Sequence, residues 1–107
     1  MTDRELLELA AKAAGISLIT WTKFFDEWKF ACNPCGEPWN PLTDDGDALR
    51  LAVQLDIEVR HVNGAAHAGR ANYFWCTQDW FPDGDKVAAT RRAIVRAAAE
   101  LAKQEAP

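Results

Sequence analysis

The stretch DDGDALRLAVQLDIEVRHVNG, residues 44–64, changes from a helical pattern to a strand pattern partway along. Its first half predicts a helix over 46–55, because apolar residues recur at the spacing of one helix face while Arg50 and Gln54 point outwards. The predicted apolar stripe consists of Leu49, Ala52, Val53 and Leu55. Together with the antiparallel strand pair that follows it, this helix indicates the α+β class.

The second half of the stretch predicts a strand and a hairpin turn. Ile57 and Val59 alternate with charged residues, as in a half-buried strand, and Asn63-Gly64 is a strong signal for a tight turn. We expect residues 72–77 to form the antiparallel partner strand. The connecting loop is either the tight turn alone or a longer loop through residues 65–69.

The flanking segments predict two more helices and two more strands. Thr2 and Glu5 have the spacing of a capping box, which predicts a helix over 3–14 that ends at Gly15. An aromatic segment predicts a strand pair, and an alanine-rich segment without Gly or Pro predicts the last helix. These two segments cover residues 16–32 and 86–104, and a proline-rich irregular connection covers 33–43. The predicted order is α, β(β), α, β, β, α in a single domain, residues 1–107.

The composition indicates a globular protein without a membrane partner. The chain has 107 residues and a formal net charge of −4, which disfavours non-specific binding to nucleic-acid phosphates. No segment approaches the roughly 18 apolar residues of a membrane span. The N-terminus lacks the pattern of a signal peptide, so we expect a cytosolic protein. Three cysteines, an odd number, exclude a complete disulfide framework.

The spacing of Cys32 and Cys35 is one that zinc and redox sites both use. Redox chemistry is disfavoured because prolines follow the first cysteine, so no helix begins there. A zinc site needs about four ligands, and the other available residues are Cys76, His61 and His67. Thiols without a functional role are the favoured interpretation, and a zinc-stabilised module stays as the alternative. No cofactor is predicted.

The acidic cluster Asp44, Asp45 and Asp47 has two interpretations. It is either a cation or acid–base site, or it starts a helix by accepting backbone N–H bonds. The pattern of an EF-hand is missing. The tripeptide Asp-Gly-Asp recurs at 45–47 and 83–85, each time before a predicted helix, and this recurrence favours capping.

The last predicted helix carries basic residues along one side. They either form a solvated face or contact an acidic partner or a phosphate backbone. The group consists of Arg91, Arg92, Arg96 and Lys103. Five tryptophans supply either core volume or an exposed aromatic platform. No motif for nucleophilic catalysis or phosphate binding is present, so the sequence leans against an enzyme without excluding one.

Two segments resemble the phage ABA-sandwich domain family. They are WNPLTDDGDALRLAV at 39–53 and GDKVAATRRAIVRAAAELAK at 84–103. The family comprises small phage and prophage proteins whose function is not known. The resemblance implies a small three-layer α/β/α sandwich, in which three helices surround an antiparallel sheet of three to four strands. It supplies neither catalytic residues nor a cofactor, and the three cysteines are not part of the shared pattern.

Together these observations predict a non-enzymatic protein-binding or adaptor module, encoded by a phage and acting on a host or phage protein. A long irregular connection inside a small domain is more often functional than idle, so we place the contact surface at residues 36–50. The candidate surface residues are Trp39, Asn40, Asp44, Asp45 and Arg50. A nucleic-acid accessory protein is a further alternative, and the sequence leaves the oligomeric state open.

Overall fold

The computed structural model describes residues 2–16, 18–24, 27–32, 38–70, 74–80 and 84–105. These ranges contain three helices and six strands in the order αβββαβββα. The helices are α1 (Asp3–Ala14), α2 (Asp45–Gln54) and α3 (Lys86–Glu105). The strands are β1 (Leu18–Phe24), β2 (Glu27–Cys32), β3 (Pro38–Trp39), β4 (Glu58–Val62), β5 (Ala65–Arg70) and β6 (Phe74–Asp79).

The strands form two three-stranded antiparallel sheets, in the orders β1-β2-β3 and β4-β5-β6. The α+β class, with three helices and a small antiparallel sheet, is therefore confirmed. The aromatic segment forms the predicted strand pair β1 and β2. Helix α3 lies against β5 and β6, and both α1 and α2 pack against α3. Helix α3 thus lies between the β4-β5-β6 sheet and the other two helices, and it contacts all three.

The hairpin that follows α2 corrects one prediction. Asn63 and Gly64 both have positive φ, 53° and 75°, as the predicted tight turn requires. The partner of β4, however, is β5 and not the strand near residues 72–77. That later strand, β6, pairs with β5 instead. The sequence Ala-Ala-His-Ala-Gly-Arg of β5 has low strand propensity, so its composition favoured a loop.

Small residues make β5 a strand because they allow α3 to approach the sheet closely. Ala66 and Ala68 are fully buried, as are Ala93 and Ala97 of α3. Gly69 sits so close to β6 that a Cβ atom there would overlap the backbone of Phe74. Burial against an alanine-rich helix, and not local strand propensity, is therefore the reason that Ala65–Arg70 form a strand.

The ends of the first helix follow the sequence prediction. The Oγ1 atom of Thr2 accepts a hydrogen bond from the N–H of Glu5 at 3.2 Å, which confirms the predicted cap. At the other end, the N–H of Gly15 donates to the carbonyl of Lys12 at 3.2 Å. The predicted bounds of 3–14 are confirmed. Leu7 and Ala10 of this helix are buried in the core.

Helix α2 corrects the predicted apolar stripe. Its buried residues are Ala48, Leu51 and Ala52, whereas Leu49 and Val53 are 64% and 68% exposed. The helix carries more apolar residues than one face can hold, and the face with Ala48 and Leu51 is the one that packs against the body. Two aliphatic side chains one turn apart therefore lie on the outer surface of the protein.

Candidate binding groove

Two members of the predicted contact surface serve the fold. Trp39 is only 6% exposed and belongs to the hydrophobic core, so it anchors the connection and offers no contact surface. The backbone N–H of Asn40 donates to Oδ2 of Asp47 at 3.0 Å. The side-chain Oδ1 of Asn40 accepts from the N–H of Leu42 at 3.0 Å. Both residues hold the segment before α2 in place.

The acidic cluster starts α2, as the capping interpretation predicted. Oδ2 of Asp44 accepts from the N–H of Asp47 at 2.8 Å and caps the helix. Oδ1 of Asp47 accepts from the Arg50 guanidinium at 2.7 Å, and this hydrogen bond raises the pKa of Arg50. Before α3, Asp85 caps the helix by accepting from the N–H groups of Val87 and Ala88. The two Asp-Gly-Asp tripeptides differ in position: the first lies inside its helix, the second ends at the cap.

Asp45, the remaining acid of the predicted surface, joins α2 to α3. Its Oδ1 accepts from the Arg91 guanidinium at 2.6 Å. The Nε–H of Arg91 also donates to the carbonyl of Leu42 at 2.8 Å. Arg91 is largely buried in this arrangement, with its side chain 18% exposed, whereas the carboxylate of Asp45 is mostly exposed.

The other three residues of the predicted basic group on α3 are also bound to neighbours within the chain. Arg92 pairs with Asp3 at 3.0 Å, and Lys103 lies 3.8 Å from Glu100. Arg96 donates to the carbonyl of Thr77 at 2.8 Å, at the outer strand β6. These contacts fit a face that stabilises the fold and give no support to a strip that binds phosphates.

The residues proposed for zinc do not meet among the described residues. In the register of β4 and β5, Arg60 lies opposite His67, so His61 points to the other face of the sheet. Cys76 is buried, and this burial raises the pKa of its thiol. The Cys32 side chain and the whole of Cys35 lie outside the described part of the chain. Within those residues no three His, Cys, Asp or Glu side chains form a group that could hold a metal ion.

A groove with a volume of about 380 Å³ lies between α2 and α3, with β4 contributing to its wall. Its apolar lining consists of Ala48, Leu49, Ala52, Val59, Val87 and Ile94. Leu49 lines the groove on the α2 side, and Val87, which is 51% exposed, lines it on the α3 side. Small alanines and flanking aliphatic side chains thus form a concave apolar surface that is open to solvent.

A few polar groups mark the rim of this groove. The hydroxyl of Thr90 donates to the carbonyl of Lys86 at 2.8 Å. Nε2 of His61 lies 2.8 Å from the same Thr90 oxygen, in a hydrogen bond whose donor depends on the imidazole tautomer. The ring of His61 also meets Trp80 edge-on, with centroids 5.6 Å apart. Lys86, whose ammonium lies 5.5 Å from the Trp80 ring, completes the rim.

A second concave surface lies on the outer face of the β4–β6 sheet. It is lined by Arg60, Val62, His67 and Trp75. Trp75 is partly exposed, but the Arg60 guanidinium lies 4.9 Å from its ring centroid and covers part of it. Arg60 is also paired with Glu58 at 2.6 Å. Arg60 is therefore already bound to groups within the chain, namely the Trp75 ring and the Glu58 carboxylate.

The sequence placed the contact surface at residues 36–50, whereas the groove lies between α2 and α3. Of the five candidate surface residues Asp45 lines the groove, and Ala48 and Leu49 of the predicted range line it too. A signal for the groove was present in the excess of apolar residues in α2. The residues Ala48, Leu51, Ala52 and Leu55 already make a full stripe, so Leu49 and Val53 were left without a place in the core.

No family model matches this chain, and no curated protein or solved structure is detectably similar to it. The resemblance of residues 39–53 and 84–103 to the phage ABA-sandwich family therefore stays a prediction. None of the helices in the described ranges has the length and apolar character of a bilayer-spanning segment.

Proposed function

We propose that this chain is a non-enzymatic protein-binding module that holds an amphipathic helix of a partner protein in the groove between α2 and α3. The observation that carries this proposal is the exposure of Leu49 and Val87 on either side of an apolar groove. Full burial of one such aliphatic side chain stabilises a complex by about 1.5–3 kcal/mol. An apolar groove with a few polar groups at its rim is the usual form of a helix-binding surface.

The polar groups at the groove support binding more than catalysis. A nucleophilic threonine needs a base that takes its proton. In the described groove the Thr90 hydroxyl donates to the Lys86 carbonyl one turn earlier in α3, a common bond of helical threonines. This bond directs the hydroxyl proton to a backbone carbonyl, which does not act as a base. The His61–Thr90 pair instead holds β4 against α3 beside the groove.

We further propose that the partner is a host or phage protein and that the module acts in the host cytosol. The support for this part is the resemblance of residues 39–53 and 84–103 to small phage proteins. The acidic net charge of −4 and the internal pairing of the α3 arginines favour a protein partner over nucleic acid.

The proposal is tested by selecting a displayed library of amphipathic helical peptides on the purified chain and measuring the affinity of the selected peptides by fluorescence anisotropy. Leu49→Lys and Val87→Glu are expected to weaken binding by at least about 10-fold, because each removes a buried aliphatic contact. Both changes suit their helices, since a lysine at position 49 would follow Asp45 by four residues, and a glutamate at position 87 would lie in the first turn of α3.

Val62→Lys is the matched control, because Val62 is another exposed aliphatic residue, 47% exposed, on the outer face of the sheet and outside the groove lining. This variant is expected to bind the selected peptides as the unchanged chain does. If the selected peptides bind the Leu49 variant with unchanged affinity, the groove is not a helix-binding site.

A further inference from the structure

We propose that the helix held in the groove is α2 of a second copy of this chain, so that the module forms a symmetric dimer. This inference rests on the proposed function and names its partner. A groove lined by alanines and aliphatic side chains selects a helix with two aliphatic residues one turn apart. The rim residue Lys86 adds a preference for a carboxylate near those residues.

The outer face of α2 has this composition. Leu49 and Val53 are four residues apart and both are mostly exposed. Asp45 lies one turn before Leu49, and its side chain is 74% exposed. The chain therefore carries both the groove and a helix face with the chemistry that the groove selects, which is the condition for a self-complementary two-fold interface.

The charges at the two ends of this surface are complementary. Within the described residues Lys86 makes no ion pair, and its ammonium lies at the positive, N-terminal end of α3. The N-terminal end of α2 carries Asp44 and Asp45, whose side chains are 58% and 74% exposed while Asp44 caps α2 and Asp45 pairs with Arg91. In a two-fold contact, this acidic end of α2 in one copy would meet Lys86 of the other copy.

The geometry of the helix pair also suits such a contact. Helices α2 and α3 pack against each other, and the small side chains of Ala48 and Ala52 line the groove between them. Leu49 of each copy would enter the groove of the other, and the two helix pairs would form a four-helix interface. A contact confined to α2 and the first half of α3 is at the small end of specific interfaces, so we expect a dissociation constant of about 1–100 µM.

Sedimentation equilibrium of the full chain from about 5 to 500 µM tests the dimer directly. The unchanged chain is expected to reach twice the chain mass, Leu49→Lys is expected to stay monomeric, and the control Val62→Lys is expected to dimerise like the unchanged chain. Lys86→Asp is expected to weaken the dimer at least about 5-fold, whereas Lys86→Arg keeps it. Aspartate suits the first turn of α3, so Lys86→Asp does not destabilise the helix itself.

A chain that stays monomeric at the highest concentration overturns the second copy as partner. A dimer that Leu49→Lys leaves intact overturns it too, because that dimer uses another surface. The peptide selection distinguishes these results from failure of the proposed function. If the selected peptides bind the unchanged chain and lose affinity for the Leu49 variant, the groove is a helix-binding site even though it does not form the dimer. If neither the peptides nor a second copy binds, both proposals fail.

Discussion

Asp47 contacts three residues of the central segment, two of them through its carboxylate and one through its backbone N–H. Its N–H is held by the cap residue Asp44, while its own oxygens accept from the N–H of Asn40 and from Arg50. The Asp47 side chain is only 12% exposed, whereas Arg50 is 72% exposed. The contact with Asn40 therefore contributes more to the fold than the ion pair does, because exposed ion pairs are weak.

We expect Asp47→Ala to lower the free energy of unfolding by about 1–3 kcal/mol, because it leaves the partly buried N–H of Asn40 without an acceptor. Arg50→Ala removes only the exposed ion pairs with Asp47 and Asp44, and it is expected to lower the free energy of unfolding much less than Asp47→Ala does. Urea unfolding of the two variants measures the difference. Equal losses in the two variants would contradict the role given to the Asn40 contact.

Strand β5 shows why one element could not be predicted from local sequence. Alanine and glycine at 65, 66, 68 and 69 have low strand propensity, so residues 65–69 favoured a loop. The strand exists because α3 presents a surface of small buried residues to it, and that surface comes from residues far along the chain. The capped helix α1 and the Asn63–Gly64 turn were predicted because their signals lie within a few residues of one another.

At the same scale, Gly69→Ala is expected to lower the free energy of unfolding by about 2–4 kcal/mol. A Cβ atom at this position would overlap the Phe74 carbonyl and lie 2.9 Å from the Cα of Trp75, so β5 and β6 would have to separate. Ala65→Gly in the same strand is the control, and it is expected to cost about 1 kcal/mol, because it removes one methyl group and adds backbone freedom without creating an overlap. Thermal and urea unfolding measure both; a Gly69 variant as stable as the control would show that the two strands can move apart at little cost.

Helix α2 shows the limit of predicting a site from the sequence. An apolar stripe was expected, but six apolar residues over 48–55 allow more than one stripe, and packing against α3 decides which one is buried. The groove residues come from α2, β4 and α3, which no local pattern connects. The exposed carboxylate of Asp45 was predicted at the surface, while its pairing with Arg91 depended on the fold.

At the scale of the molecule, the side chains of three described residues, Gln54, Arg70 and Arg91, fix α2 to the body. The Gln54 side-chain amide donates to the carbonyl of Ala14 at the end of α1. The guanidinium of Arg70 donates to the carbonyl of Leu55, just after α2, at 3.0 Å. Arg91 binds the segment at the start of α2. These contacts hold both ends of a short helix whose outer face is apolar, and so they keep the groove in shape.

Arg91→Ala is therefore expected to loosen α2 relative to α3 and to cost about 1–3 kcal/mol, because it leaves the partly buried Leu42 carbonyl without its donor. Arg92→Ala removes the more exposed pair with Asp3 and is expected to cost less than about 1 kcal/mol. Hydrogen exchange locates the effect: amides of 45–54 exchange faster in the Arg91 variant, while those of β5 keep their relative protection. Equal acceleration over the whole chain would mean that α2 opens only when the entire domain unfolds. That result would contradict a local role of Arg91 in holding α2 at the groove.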